Sequence, residues 1–243
     1  MLLVQFKSQS PAEHLACDEV LLRKAQSGEL DAALRLYEIE RPTVVIGVGG
    51  RHREEVDFDA CVAQAVAVLR RHTGGGAVVL AAGCLVYSLV LSTRTRPPLR
   101  SVLGSYRWIL SRLAASFAQA GLRVERAGVS DLAWRGRKVG GSAQRRLRHA
   151  LLHHGTLLYG ADLSLLDPLL GRAVSPPGYR AGRRHREFVA NLPLARQDLG
   201  DVLAAAFQVE NAGSPLDVTD GLMPRVRELA TAKYASDGWN LRL

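Results

Sequence analysis

Two stretches of this sequence bring side chains and bare backbone together in a way suited to handling an anion. The first is Arg70-Arg71-His72-Thr73-Gly74-Gly75-Gly76-Ala77-Val78, in which two guanidinium groups and a hydroxyl run into three glycines. Three consecutive glycines lose much backbone entropy on ordering, so a folded chain that keeps them beside two cations calls for close approach of the main chain to something. Uncrowded N–H groups can point at a phosphate or carboxylate, and Arg71 offers a fork of donors to the same group. The alternative for this stretch taken alone is a glycine hairpin with solvent-facing arginines. The second stretch is Gly136-Arg137-Lys138-Val139-Gly140-Gly141-Ser142-Ala143, where glycines again strip the backbone beside a cation. A lysine ammonium is compact, has three donors, and can bridge a carboxylate and a phosphate.

Downstream lies Leu151-Leu152-His153-His154-Gly155-Thr156-Leu157-Leu158. Adjacent histidines on a strand point to opposite faces, so at most one shares a face with any ligand, and the two cannot hold one metal ion. The cysteines, Cys17, Cys61 and Cys84, are odd in number, far apart and without ligand spacing, which predicts free thiols and no structural zinc. Cys17 falls on an apolar helical stripe and reads as core. Cys84 lies between Leu80-Ala81-Ala82 and Leu85-Val86, surroundings that raise a thiol pKa.

The elements that must position these groups are readable from periodicity and caps. Leu2 to Phe6 reads as a strand, and Ser10-Pro11-Ala12-Glu13 as a capping box opening a helix that runs to about Gln26. Strands follow over Ala33 to Glu38 and Thr43 to Val48, then a short helix over Asp57 to Val66. The glycine stretch reads as strand, bare turn, strand, and Val78 to Leu91 as a hairpin broken at Ala81-Ala82-Gly83. Val102, Tyr106, Ile109, Leu113, Phe117 and Ala120 recur at helical steps after Ser101 and stop at Gly121. Asp131 to Trp134 and Arg137 to Ala143 read as strands joined by the Arg135-Gly136 turn.

The chain has 243 residues, of which 47% are apolar and 23% charged, with a formal charge of +9. That length can bury a substantial core, and no apolar run approaches the ~18 residues needed to cross a membrane. The N-terminus lacks the features of a signal peptide, so a soluble, cytoplasmic protein is expected. The positive balance predicts an acidic partner or ligand. Only 6% of residues are aromatic, and most lie in apolar patterns, which argues against nucleic acid.

Taken in order and spacing, Arg70 to Val78, Ser130-Asp131-Leu132, Gly136 to Ala143 and His153 to Leu158 resemble the lipoate–protein ligase family, within the biotin/lipoate ligase and octanoyltransferase superfamily. The similarity extends from Thr43-Val44-Val45-Ile46-Gly47 to Lys233-Tyr234-Ala235-Ser236-Asp237-Gly238-Trp239-Asn240. It implies an α+β fold, a mixed sheet flanked by helices and related to the catalytic core of class II aminoacyl-tRNA synthetases. It also implies one catalytic domain over residues 1–243, without the C-terminal accessory domain of larger ligases, which would be absent or a separate polypeptide.

Carried over by position, the resemblance makes Lys138 the residue that contacts the acyl carboxylate and the α-phosphate of an acyl-adenylate. Arg71, Thr73, Gly74, Gly75, Gly76, Ala77 and Val78 would line the site, with Ser142, Ala143, His154 and Gly155 closing it and Asp131 contacting magnesium. The implied activity is activation of lipoate or octanoate by ATP and transfer of the acyl group to a lysine. The implied acceptor is an acidic lipoyl-type domain, such as a dehydrogenase E2 subunit or a glycine-cleavage H protein. Two departures stand out: Leu80-Ala81 replaces the family's His-Asp, and Gly83-Cys84 its Gly-Asn. The basic segment Pro176-Pro177-Gly178-Tyr179-Arg180 to Arg183-Arg184-His185 is closer to the octanoyltransferase branches. The alternatives are therefore an octanoyl or lipoyl transferase working through a Cys84 thioester, or a non-catalytic acyl- or nucleotide-binding homologue.

Overall fold

A computed structural model describes residues 1–6, 8–171, 176–209, 216–217 and 219–242. The strands are β1 (Leu2–Gln5), β2 (Ala32–Tyr37), β3 (Thr43–Ile46), β4 (Ala67–Arg70), β5 (Val78–Leu80) and β6 (Cys84–Ser92). They continue with β7 (Val124–Ala127), β8 (Asp131–Trp134), β9 (Arg137–Arg146), β10 (Ala150–Leu158) and β11 (Leu216–Asp217). The longer helices are α1 (Pro11–Ser27), α2 (Val102–Gln119), α3 (Arg196–Phe207) and α4 (Thr219–Leu229). The large sheet runs β11-β1-β2-β6-β10-β9-β8-β7, and a second sheet runs β4-β3-β5. Both are mixed: β1 pairs in parallel with β2 and β11, β3 with β4, and the other pairings are antiparallel. The fold is α+β.

Every residue of β6 is buried, because helices cover both of its faces. Cys84, Val86 and Val90 pack with the α1 residues Leu15, Cys17, Val20 and Leu21, whereas Leu85, Leu89 and Leu91 pack with Ile109, Leu113 and Phe117 of α2 and Leu199 and Leu203 of α3. Burial on both faces explains why this strand reads as a continuous apolar run and not as an alternation. Helix α1 starts where the sequence predicts: Ser10 accepts from Glu13 N–H, and Pro11 occupies the first helical position. It ends at Gly28, φ +93°, a left-handed cap that glycine adopts at little cost. Helix α2 is capped by Ser101, which accepts from Gly104 N–H.

One expectation fails. Val78 to Leu91 is not a hairpin, because β5 pairs with β3 in the small sheet while β6 lies between β2 and β10 in the large one. The bend at Ala81-Ala82-Gly83 carries the chain from one sheet to the other. Gly83 has φ +78°, its carbonyl accepts from Tyr159 and Gly160 N–H, and a Cβ there would overlap the Gly160 backbone. Local β-propensity marks both strands but cannot assign their partners.

Candidate active site

The glycine segment joins β4 to β5, which flank β3 on opposite sides, so it must arch over the end of β3. Arg71 N–H donates to Ile46 O, Val48 N–H donates to Thr73 O, and Gly47 lies so close beneath the arch that a Cβ on it would overlap Gly75 O. Neither arginine faces solvent, which removes the exposed-hairpin alternative. Arg70 is fully buried and donates to the carbonyls of Gly47 (2.9 Å), Gly50 (2.8 Å), Trp239 (3.2 Å), Asn240 (3.2 Å) and Arg242, fastening the C-terminal segment to the core.

Arg71 is also turned inward and is not a free fork. Its guanidinium donates to Val45 O (2.9 Å), Gly74 O (2.6 and 3.2 Å), Gly76 O (2.9 Å) and Thr73 Oγ (3.0 Å). Burial lowers its pKa to about 10, which leaves it charged at neutral pH. Arg71 therefore shapes the arch, and the arch presents what remains. Gly74 and Gly76 point their carbonyls at the guanidinium, and among the described residues nothing accepts from the N–H groups of Gly74, Gly75 or Gly76. Gly75 adopts φ +87°, a conformation that favours glycine. Ala77 N–H donates to Glu55 Oε2 at 2.7 Å, and Val78 pairs with Val45 on β3.

Lys138 reaches the site through an irregularity. Asp131 pairs with Gly141 and Leu132 with Gly140, but Ala133 pairs with Lys138, so Val139 is an extra residue in β9. Strict alternation would put Lys138 on the face of Gly140, opposite Asp131. The bulge moves it onto the face of Asp131 and Gly141, a re-aiming typical of bulges beside active sites. Lys138 Nζ lies 2.9 Å from Asp131 Oδ1, with the lysine side chain 29% exposed and the carboxylate 7%. Tyr179 O–H donates to the other oxygen at 2.8 Å, and burial beside this carboxylate pushes the phenol pKa well above its ordinary range.

Ala143 lies on the same face of β9 as Gly141, and a Cβ at Gly75 would touch the Ala143 methyl at 3.8 Å. The arch and the Lys138 ammonium therefore look onto one strip of sheet. His154 pairs with Ala143 and faces the arch, and its Nε2 lies 2.7 Å from Thr73 Oγ. His153 points to the opposite side, against Tyr87 and Tyr106, as alternation predicts. Gly155 is pressed on Tyr87, where a Cβ would lie 2.6 Å from the hydroxyl, and Ser142 donates to Ser130 O at 2.7 Å.

Asp18, Arg35, Glu55 and Tyr179 were not singled out by the sequence reading. Two of them left a trace: Asp18 lies beside the apolar residues of α1, and Arg35 interrupts the apolar run Ala32-Ala33-Leu34-Arg35-Leu36-Tyr37. An acid and a base in apolar settings call for each other, and they meet at 2.6 Å with 1% exposure each.

Burial holds four imidazoles neutral. His14 is lowered to about 3 by burial and the Arg35 charge, His72 to about 4 and His153 to about 3 mainly by burial, and His154 is lowered by burial against the opposing pull of Asp18. In the unfolded chain each titrates near ~6.5, so below that pH the unfolded state binds protons that the native state refuses. Stability should therefore fall as pH drops from 7.5 to 5, by up to ~1.4 kcal/mol per pH unit for each histidine. Urea midpoints at the two pH values provide the check, and equal midpoints would show that these imidazoles are not buried neutral.

All three cysteines are buried. Burial pushes the Cys84 thiol up to about 12 and the Cys17 thiol to about 11. No described helix is long and apolar enough to cross a membrane.

Comparison with known proteins places the chain in a family. The octanoyltransferase LipM of Kyrpidia tusciae is 32% identical over 96% of this chain and 95% of its own length, and that of Staphylococcus aureus 28% over 97% and 96%. A lipoate-protein ligase A bound with ATP superposes with a TM-score of 0.84 at 25% identity, covering 99% of this chain and 98% of that one. A bipartite lipoate protein ligase from Thermoplasma acidophilum superposes with a TM-score of 0.82 at 24% identity, covering 99% and 95%. The sequence profile of the lipoyl protein ligase A/B catalytic domain matches residues 10–201, and the chain belongs to that family.

Proposed function

We propose that this chain, acting as a single catalytic domain, activates lipoate or octanoate with ATP and transfers the acyl group to a lysine of a lipoyl-type acceptor domain. The observation that carries the reading is the arch: Arg71 draws in its carbonyls, among the described residues nothing accepts from the N–H groups of Gly74 to Gly76, and Gly75 lies against Ala143 on the face that holds Lys138. Fixed donors and one cation suit a site where two anions must meet. In the first step an acyl carboxylate oxygen bonds to the α-phosphorus of ATP and pyrophosphate leaves. In the second, the amine of the acceptor lysine attacks the acyl carbon. The C–N bond forms, the C–O bond to AMP breaks with its electron pair leaving on AMP, and the amine proton is lost to solvent. Lys138 lowers the charge build-up in both steps without forming a bond.

Magnesium does not fit Asp131 as built. Both of its oxygens already accept, one from the ammonium of Lys138 and one from Tyr179. The carboxylate is instead the partner that aims Lys138. An acidic acceptor suits the net charge of +9 and the arginines beside the turn that precedes Lys138, where Arg183 donates to Gly136 O and Arg137 to Arg186 O. An E2 subunit or an H protein would fit.

A transferase reading has its own support, since the curated relatives are octanoyltransferases. A thioester on Cys84 is disfavoured by that thiol's burial, so in this reading the acceptor lysine would take the acyl group directly from a carrier thioester. Incubation with ATP and octanoate should yield octanoyl-AMP and an octanoylated lipoyl domain. Acyl transfer from octanoyl carrier protein without ATP, and no octanoyl-AMP, would reverse the assignment. Cys84→Ala should keep acylation within threefold of wild type, and mass spectrometry should find no acyl adduct on Cys84. Loss of nearly all transfer in that variant would restore the thioester route.

A further inference from the structure

A buried chain of polar side chains connects α1 to the glycine arch. Arg71 Nε donates to Thr73 Oγ at 3.0 Å, Thr73 Oγ lies 2.7 Å from His154 Nε2, and His154 Nδ1 lies 3.3 Å from Asp18 Oδ2. Asp18 also accepts from Ser88 at 2.8 Å and from Arg35 at 2.6 and 3.1 Å. Thr73 is fully buried, Asp18 and Arg35 are 1% exposed and His154 8%, so no solvent can replace a missing partner.

The order of protons along this chain is forced. A guanidinium only donates, so Thr73 Oγ accepts from Arg71. An ionised Asp18 only accepts, so His154 Nδ1 donates to it, and the bare Nε2 of the neutral imidazole takes the Thr73 hydroxyl proton. An imidazole that accepts at Nε2 and is neutral carries its proton on Nδ1, which donates to Asp18. The carboxylate accepts at the end of the line. The arrangement needs Asp18 ionised and His154 as the Nδ1–H tautomer. Arg35 supplies the charge that keeps Asp18 ionised: burial alone would raise the carboxyl, but Arg35 and His154 hold it below the ordinary range.

We propose that Asp18 is a positioning residue for the glycine arch, acting through His154 and Thr73 to fix where Arg71 draws the Gly74 and Gly76 carbonyls and hence where the unspent N–H groups point. The role rests on the acyl-activation reading for its purpose, but the mechanics stand on the contacts alone. In Asp18→Asn the amide oxygen accepts from Arg35, so its NH2 faces His154 Nδ1. The imidazole must then accept there and carry its proton on Nε2. That reverses the bond to Thr73, whose oxygen would then accept from both Arg71 and His154 and whose own proton would lose its acceptor.

Two measurements on the full chain test this. In 15N-histidine spectra, wild-type His154 should be the Nδ1–H tautomer and Asp18→Asn should convert it to Nε2–H. Wild-type His154 as the Nε2–H tautomer would overturn the proposal. Hydrogen exchange of the Val48 and Ala77 amides, which tie the arch to Thr73 O and Glu55 Oε2, should be at least tenfold faster in Thr73→Val, which removes the hydroxyl, keeps the shape and leaves Asp18–Arg35 intact. Thr73→Ser, which restores the hydroxyl, should return exchange to the wild-type rate. Unchanged arch exchange in Thr73→Val would overturn the proposal, and that variant decides the matter if Asp18→Asn does not fold. Failure of the activation reading looks different: octanoyl-AMP would be missing from the wild type while the tautomer and exchange results stood.

Discussion

Lys138→Ala is expected to lower octanoyl-AMP formation by roughly 10³-fold, ~4 kcal/mol of transition-state stabilisation, with a KM for octanoate changed far less. The side chain is 29% exposed and packs little core, so its removal should not unfold the protein. What it leaves is Asp131, still held by Tyr179 but without its cation, at a cost of ~1–3 kcal/mol. For a chain of this length that corresponds to a fall in Tm of roughly 2–12 °C. The measurement is single-turnover adenylate formation beside a thermal melt. A variant with the wild-type adenylation rate would remove Lys138 from the chemistry, whereas a large loss of Tm would make the kinetic result uninterpretable and call for Lys138→Met. The same variant should lose acyl transfer from chemically prepared octanoyl-AMP, because both steps place negative charge beside the same ammonium.

Gly47→Ala should be the most damaging single methyl in the site. The added Cβ would overlap the carbonyl oxygen of Gly75, and neither backbone can yield, since Val48 N–H donates to Thr73 O and Arg71 N–H to Ile46 O on either side. Overpacking of this kind costs ~1–3 kcal/mol, and relief requires lifting the arch off β3. Adenylate formation should fall at least 10²-fold, because the Gly74–Gly76 amides move with the arch. Gly74→Ala is the control for stability: nothing lies within 4 Å of a Cβ there, so its Tm should match wild type within about 2 °C. If Gly47→Ala binds and activates octanoate normally, the arch is not the anion site and the three glycines serve only the turn.

How these residues came to be legible differs from one to the next. Legible in the sequence alone were the caps and stripes of α1 and α2, the opposite faces of His153 and His154, the apolar setting of Cys17 and Cys84, and the blocks that carry the family resemblance, which in turn implied the α+β class. All of these depend on local periodicity, cap chemistry or motif spacing, which need no knowledge of distant partners. Only the tertiary structure decided what Arg70 and Arg71 hold, because a guanidinium chooses among carbonyls, and those of Gly47, Val45 and Asn240 arrive from other parts of the chain. It likewise decided that β5 and β6 separate into two sheets, since strand partners are set by packing and not by propensity. The bulge at Val139 is the sharpest case. Gly140 and Gly141 advertise an irregular strand, but whether Lys138 faces Asp131 or the opposite side turns on one residue of register, and register is fixed by how β8 and β9 bury their apolar faces together.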